Sequence, residues 1–199
     1  GLSVISIDFR KHGLSGDGNF TFGIDEINDV YTTVNYFYEN KGLKSFGIWG
    51  FSYGATTALF SGLKFYNQTS NVELLGIFAE SPYLDLLEVF TDQVAYRTPL
   101  NKNLANLLKP GTIFLTNLVF DFNFNSIKKT FGNKNEISFP TVVVSCANDE
   151  IVPASQSRKI VEILGPNATY EEFNNCNSHG GTLNSDPERY HKILENLFK

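Results

Sequence analysis

Nowhere in the chain do apolar residues run on for the roughly 18 positions that a membrane-crossing helix requires, which excludes an α-helical membrane span. A stripe of Lys and Arg is also missing. The formal net charge is -5 over 199 residues with the signs dispersed, so a nucleic-acid partner, which needs cations lined up against phosphates, is excluded as well. Two cysteines, Cys146 and Cys176, are too few for a disulfide scaffold and are expected to be free structural thiols. No methionine occurs, the chain opens on Gly1, and residues 2–7 read as a strand with no lead-in, signal peptide or transit segment. It is therefore expected to be a piece of a longer product. Three acceptor patterns for N-glycosylation, at Asn19, Asn67 and Asn167, are about as many as chance gives in a chain this rich in Asn. They assign no compartment, and the cytoplasm stands only as a default.

What the chain does have is 42% hydrophobic residues and the length of one domain with a sizeable core. The opening strand runs into a glycine-rich loop, residues 8–18, whose spacing fits neither common phosphate-binding motif. A helix is expected over residues 25–39, with Ile27, Val30, Tyr31, Val34, Phe37 and Tyr38 on its apolar face and Asn40-Lys41-Gly42 as its stop. Residues 73–79 form a near-continuous apolar run, as in a strand buried on both faces of a parallel sheet. Strand and helix alternate up to that point. The alternation breaks over residues 82–139, where 84–96 is expected to be helical and the remainder, rich in Asn and Phe, irregular; this stretch reads as a small cap inserted into a single domain spanning residues 1–199. It resumes with a strand at 140–146, a helix at 155–164, a strand at 169–173, and a closing helix with Asp186 as N-cap and Pro187 in its first turn. Repeated βαβ units imply an α/β fold with a mostly parallel, doubly wound sheet.

One stretch, residues 44–63, organises the rest. A short apolar strand at 46–49 enters Gly50-Phe51-Ser52-Tyr53-Gly54, and Ala55, Ala58, Leu59 and Leu63 follow at helical spacing. A Gly-x-Ser-x-Gly sequence between strand and helix is a nucleophile elbow: the Ser takes strained backbone, and flanking glycines let strand and helix approach. Its hydroxyl then stands at the carboxyl end of the strand beside a helix N-terminus, whose partial positive charge favours an oxyanion. In a parallel sheet all strand carboxyl ends share one edge. Ser52, Asp149 and His179 each fall just after a strand, in the order nucleophile, acid, base. Each cysteine lies three residues ahead of one of the latter two.

On these motifs the chain resembles the α/β-hydrolases, in particular the serine aminopeptidase-like group and the α/β-hydrolase-domain acyl hydrolases. The stretches that carry the resemblance are Asp8-Phe9-Arg10 with His12-Gly13-Leu14-Ser15, Ile48-Trp49-Gly50-Phe51-Ser52-Tyr53-Gly54-Ala55, Glu80-Ser81-Pro82-Tyr83, Asn148-Asp149-Glu150-Ile151-Val152-Pro153 and Ser178-His179-Gly180. The resemblance implies Ser52 as nucleophile, Asp149 as acid, His179 as base and the backbone N–H of Tyr53 as one oxyanion donor. It also implies a small-molecule acyl substrate and no metal or organic cofactor. Lys11 departs from the Gly usual in the family, and Tyr53 from the usual apolar residue. Residues 2–7 match the family's fourth strand and 46–49 its fifth; the third, which lies between them and whose following loop supplies the second oxyanion donor, has no counterpart here. The sheet is thus expected to lack its first strands, and the second donor to belong to a segment upstream of Gly1.

Rival assignments follow from the same residues. Glu80, Asp85 and Glu150 are alternative acids, and His12 and His191 alternative bases, the first in the glycine-rich loop and the second within the closing helix. Phe46, Ile48 and Trp49 are expected in the core. Phe114, Phe120, Phe122 and Phe124 can form a small core of the cap or face a cleft, and in the second case they favour an apolar acyl or aromatic substrate. The alternatives to a serine hydrolase acting on an ester, thioester or amide are an idle binding module of the same fold, or an acyltransferase or haloperoxidase relative.

Overall fold

A computed structural model describes residues 2–67, 71–99, 101–120, 122–132 and 137–199, without the side chains of residues 66, 67, 102, 119 and 120. Gln68 and Thr69 of the second glycosylation pattern, and the ring of Phe120, lie outside the described residues.

Four strands, β1 (Ser45–Phe51), β2 (Glu73–Glu80), β3 (Thr141–Cys146) and β4 (Ala168–Phe173), form one sheet in that spatial order. All three pairings are parallel, with Ile48 opposite Ile77, Ala79 opposite Val143 and Val143 opposite Tyr170. Parallel neighbours need crossovers, and helices supply them: α2 (Tyr53–Asn67) joins β1 to β2 and α6 (Ala154–Leu164) joins β3 to β4, while α1 (Ile27–Lys41) leads into β1. Alternation along each strand sends successive side chains to opposite faces. Ile77, Ala79 and Val143 therefore pack with Ala55, Ala58, Leu59, Ile160 and Leu164 in the larger core, while Phe78, Val144 and Phe173 pack with Tyr190 under α8 (Pro187–Leu197). Gly76 lies on the α8 side, where a Cβ would come within 2.8 Å of Leu197, so the missing side chain is what lets α8 settle on the sheet. At the start of α8 the Asp186 carboxylate accepts from Arg189 N–H at 3.0 Å, with Pro187 in the first turn. Gly42, at φ 68°, ends α1 and returns its N–H to Phe37.

Four expectations are corrected. Residues 2–7 are not a strand: they run without partners in the sheet, leaving Leu2 69% and Val4 90% exposed. An extended segment becomes a strand only when a neighbour takes its backbone hydrogen bonds, and among the described residues β1 pairs with β2 alone. The same open edge leaves Trp49 57% exposed rather than in the core; its indole N–H donates to the Tyr190 hydroxyl at 2.9 Å. Beyond α3 (Leu86–Arg97), the stretch expected to be irregular contains α4 (Lys102–Phe120) and α5 (Asn125–Phe131). Pro110 costs α4 one backbone hydrogen bond, but apolar residues at helical spacing continue through it. Cys146 and Cys176, lastly, form a disulfide, because the end of β3 and the turn after β4 are neighbours in the parallel register.

The glycine-rich loop is held from below by polar contacts. Arg10 grips Asp29 through Nε and Nη2, the latter at 2.8 Å, and the fully buried Glu26 carboxylate accepts from Thr21 N–H, Thr21 Oγ1 and Gly23 N–H. Lys11 has φ 62°, the left-handed region where a Cβ is strained, which is the physical reason for glycine at this place in the family that the sequence resembles.

The disulfide closes a loop of 30 residues, which in the chain-entropy account stabilises the fold by about 3 to 4 kcal/mol. Denaturant unfolding with and without a thiol reductant, and of a Cys146→Ala/Cys176→Ala double variant, should show a loss of about that size in both cases. An unchanged midpoint on reduction would contradict the bond.

Candidate active site

The turn at Gly50-Phe51-Ser52-Tyr53-Gly54 is built by close approach. A Cβ on Gly50 would lie 2.2 Å from the Gly54 carbonyl oxygen, so only glycine lets the end of β1 lie against the start of α2. Ser52 itself has φ 54°, a strained conformation for a residue with a side chain. Its N–H donates to the Glu80 carbonyl at 2.7 Å, and its carbonyl accepts from Ala55 and Thr56, so the turn is fixed from both sides. Tyr53 is the first residue of α2, where backbone N–H groups have no acceptor within the helix.

The three residues singled out from the sequence meet at the carboxyl edge of the sheet. His179 Nε2 lies 2.8 Å from Ser52 Oγ, and His179 Nδ1 lies 2.8 Å from Asp149 Oδ2 and 3.0 Å from Oδ1. An ionised carboxylate only accepts, so the neutral imidazole carries its proton on Nδ1 and presents the Nε2 lone pair to the serine hydroxyl. The Asp149 side chain is fully buried and that of His179 is 11% exposed. Phe51 packs its ring on His179 at 4.7 Å between centroids.

Asp149 is held by more than histidine. Its Oδ1 accepts from Ile151 and Val152 N–H, both at 2.9 Å, and its Oδ2 accepts from Ser81 Oγ at 3.0 Å. Burial pushes the carboxyl up, but the hydrogen bond and charge of His179, with the two backbone donors, outweigh it and hold the group below the ordinary carboxylate value. Ser81 is buried, with φ 52°, immediately after β2. The Glu80-Ser81-Pro82-Tyr83 stretch was visible as a motif; that its serine reaches Asp149 was not, because nothing in the spacing says where a residue after β2 points.

The rivals go elsewhere. Glu80 is buried and accepts from Tyr190 Oη at 2.9 Å and from Thr182 Oγ1, joining β2 to the short α7 (Thr182–Ser185) and to α8. Asp85 caps α3 through Glu88 N–H, and Glu150 is exposed. His12 bonds the Arg10 carbonyl through Nδ1 and stacks on Tyr53, while His191 is exposed on α8. Phe122 and Phe124 are buried in the main core, where they pack with Phe22 and Phe90, rather than forming a separate core of the cap, whereas Phe114 is 66% exposed. Among the described residues, no group of three or more His, Cys, Asp or Glu side chains is placed to hold a metal ion.

Also invisible in the sequence was a clamp between the loops that carry Asp149 and His179. Besides the disulfide, Asn148 N–H donates to the Cys176 carbonyl, and Asn148 Nδ2 donates to Asn177 Oδ1 at 2.9 Å.

A parallel sheet flanked by helices, with a strained Ser-bearing turn between β1 and α2, is the α/β-hydrolase fold, and comparison with solved structures agrees. Esterase Pf2001 from Pyrococcus furiosus superposes with a TM-score of 0.67 at 23% identity, over 96% of this chain and 70% of that one. A putative hydrolase from Agrobacterium vitis S4 superposes at 0.69 with 15% identity, over 96% and 75%. By sequence, the chain is 25% identical over 207 residues to the uncharacterized protein YqkD of Bacillus subtilis strain 168, covering 98% of this chain. It spans 61% of that relative's length. No family model matches the chain.

The lowered Asp149 value fixes a pH dependence. A carboxyl whose folded value lies below its unfolded value of about 4 adds stability that is fully present above that pH and is lost as pH falls through the folded value. Unfolding free energies of the parent and of Asp149→Asn should therefore converge as pH drops below about 4. A gap that stays constant from pH 7 down to about 2 would show that the native contacts of Asp149 do not favour its charge.

Proposed function

We propose that the chain carries the reacting half of a serine hydrolase that cleaves an ester, thioester or amide through an acyl-enzyme. The observation that carries this reading is the unbroken chain from Asp149 through His179 to Ser52 Oγ, with both histidine contacts at 2.8 Å. In this reading Ser52 Oγ attacks the acyl carbonyl carbon while His179 Nε2 takes its proton, and the imidazolium then hands that proton to the leaving group. Water repeats the sequence on the acyl-serine and restores the free hydroxyl. Asp149 holds the Nδ1–H tautomer and stabilises the imidazolium, and Ser81 is a positioning residue that orients the Asp149 carboxylate through its hydroxyl. The backbone N–H of Tyr53, at the start of α2, is the donor for the developing oxyanion.

A small-molecule acyl substrate of apolar character fits the rings around the serine: Phe51 on His179, and Phe9 and Phe20 edge-on to Tyr53, each at 5.3 Å. That a solved neighbour of the same fold is an esterase supports the ester as first choice among the three bonds. Residues 82–139 are proposed as the cap of this single domain. For the second oxyanion donor we look to a strand that pairs with the open edge of β1 and is followed by a loop near Ser52, supplied by a segment upstream of Gly1. No metal or organic cofactor enters this mechanism.

With a p-nitrophenyl acyl ester, Ser52→Ala should lower turnover by at least about a thousandfold and abolish labelling by a fluorophosphonate probe, with the unfolding temperature little changed. Labelling that survives the substitution sinks the assignment, and labelling without turnover on a panel of esters, thioesters and amides would favour the binding module. A longer chain carrying the missing donor should hydrolyse the ester about a hundred- to a thousandfold faster than the 199 residues alone. Equal rates would remove the upstream strand from the proposal.

A further inference from the structure

On the face of the sheet that meets α8, Gly76, Phe78 and Glu80 follow one another along β2, and the first two serve close packing: Gly76 leaves room for Leu197, and Phe78 meets the Tyr190 ring at 5.0 Å between centroids. Glu80 ends that apolar row with a carboxyl group that is buried, the residue being only 3% exposed. A buried carboxylate is costly unless it is hydrogen-bonded, and an apolar side chain would hold α8 to the sheet without that cost. Both oxygens are met by hydroxyl donors: Oε2 accepts from Tyr190 Oη at 2.9 Å, and Oε1 accepts from Thr182 Oγ1. Tyr190 Oη in turn accepts from the Trp49 indole N–H, and burial, with the charge of Glu80, pushes the phenol up so that it remains a donor.

What this network reaches is the segment that carries His179. Thr182 is fully buried and stands three residues after the histidine, as Cys176 stands three residues before it. Cys176 is bonded to Cys146 at the end of β3, and Thr182 to Glu80 at the end of β2, so His179 sits midway between tethers to two neighbouring strands. Only Gly180, at φ 75°, and Gly181 separate it from the second tether. Glycine restrains its own backbone least, so that side of the histidine is fixed by what Thr182 bonds rather than by the chain between them. The Glu80 backbone meanwhile accepts from Ser52 N–H at 2.7 Å. We propose that Glu80 is a positioning residue for the reaction: its carboxylate fixes the His179 segment through the Thr182 hydroxyl while its carbonyl fixes the Ser52 turn, so that one residue sets the base against the nucleophile. The proposal rests on the hydrolase reading of Ser52, Asp149 and His179.

The test compares variants of the 199-residue chain for p-nitrophenyl ester hydrolysis, for the rate of Ser52 labelling by a fluorophosphonate, and for unfolding temperature. Thr182→Val keeps the shape of the side chain and removes the hydroxyl; it should lower kcat and the labelling rate at least about tenfold with KM within about twofold of the parent. Glu80→Gln, which sets an amide N–H2 against donors, should lower both in the same direction. Thr182→Ser keeps the hydroxyl and should recover most of the rate. As a control for stability alone, Asn167→Ala removes a side-chain bond to the Ile137 carbonyl at the amino edge of the sheet, and should lower the unfolding temperature with kcat unchanged. If Thr182→Val and Glu80→Gln cost stability but hydrolyse and label as fast as the parent, the network only holds α8 in place and the proposal is overturned. A Thr182→Ser variant as slow as Thr182→Val overturns it too, because the methyl group and not the hydroxyl then matters. A parent chain that neither labels nor turns over removes the hydrolase reading itself, and the positioning role with it.

Discussion

A single backbone hydrogen bond, from Ser52 N–H to the Glu80 carbonyl, ties the end of β1 to the end of β2 and holds the serine turn in left-handed backbone. Strain of that kind persists only where the surroundings over-determine it. They do so here from three directions. Gly50 removes the one Cβ that would push α2 away, Ala55 and Thr56 N–H groups occupy the Ser52 carbonyl, and the Glu80 side chain is itself held by Tyr190 and Thr182. The last of these contacts makes α7 and α8, at the far end of the chain, part of the support of a turn in its first third. Trp49 joins the same network through Tyr190, which is why an exposed indole on an edge strand still has a fixed orientation.

The sequence carried the parts of this arrangement that depend on local pattern. Strand, elbow and helix at residues 44–63, the caps at Gly42 and Asp186, and the order Ser52, Asp149, His179 were all readable, because each rests on residue types at short fixed spacing. What it did not carry depends on which elements become neighbours. Cys146 and Cys176 look like isolated thiols until the β3 and β4 register brings them together, and Ser81 looks like a turn residue until the Asp149 loop folds over it. Residues 2–7 have the apolar content of a strand, but content does not provide a pairing partner. For α4 the error ran the other way: the many Asn and Phe residues argued for irregular chain, while the repeat of Leu104, Leu107, Leu108, Phe114, Leu115 and Leu118 was the stronger signal.

Electrostatically the site is arranged around a carboxylate that has already met its desolvation cost. Burial alone would drive Asp149 toward its neutral form, and a neutral carboxyl could not hold the Nδ1–H of His179 in the same way. Ser81 Oγ and the N–H groups of Ile151 and Val152 all donate to this carboxylate, so its negative charge is stabilised by donors already in place.

The two halves of the site are supported unequally, and the inequality follows from the sheet. On the β3 and β4 side the Asp149 and His179 loops are joined by a disulfide, by backbone bonds from Ala147 and Asn148 to Phe173 and Cys176, and by the Asn148 to Asn177 side-chain bond. On the β1 side no strand among the described residues covers the edge, and the segment nearest the serine is held by the side-chain contacts of Arg10 to Asp29 and of Glu26 to Thr21 and Gly23, and by rings: Phe9, His12 and Phe20 around Tyr53, whose buried hydroxyl has no hydrogen-bond partner among the described residues. Ring contacts of this kind contribute roughly a kcal/mol each and fix orientation less sharply than a backbone ladder. The relative placement of Asp149 and His179 is therefore built into β3, β4 and their loops, whereas the surroundings of Ser52 on the other side are set by how the opening loop packs on Tyr53. A segment that paired with β1 would stiffen that second half without altering the first.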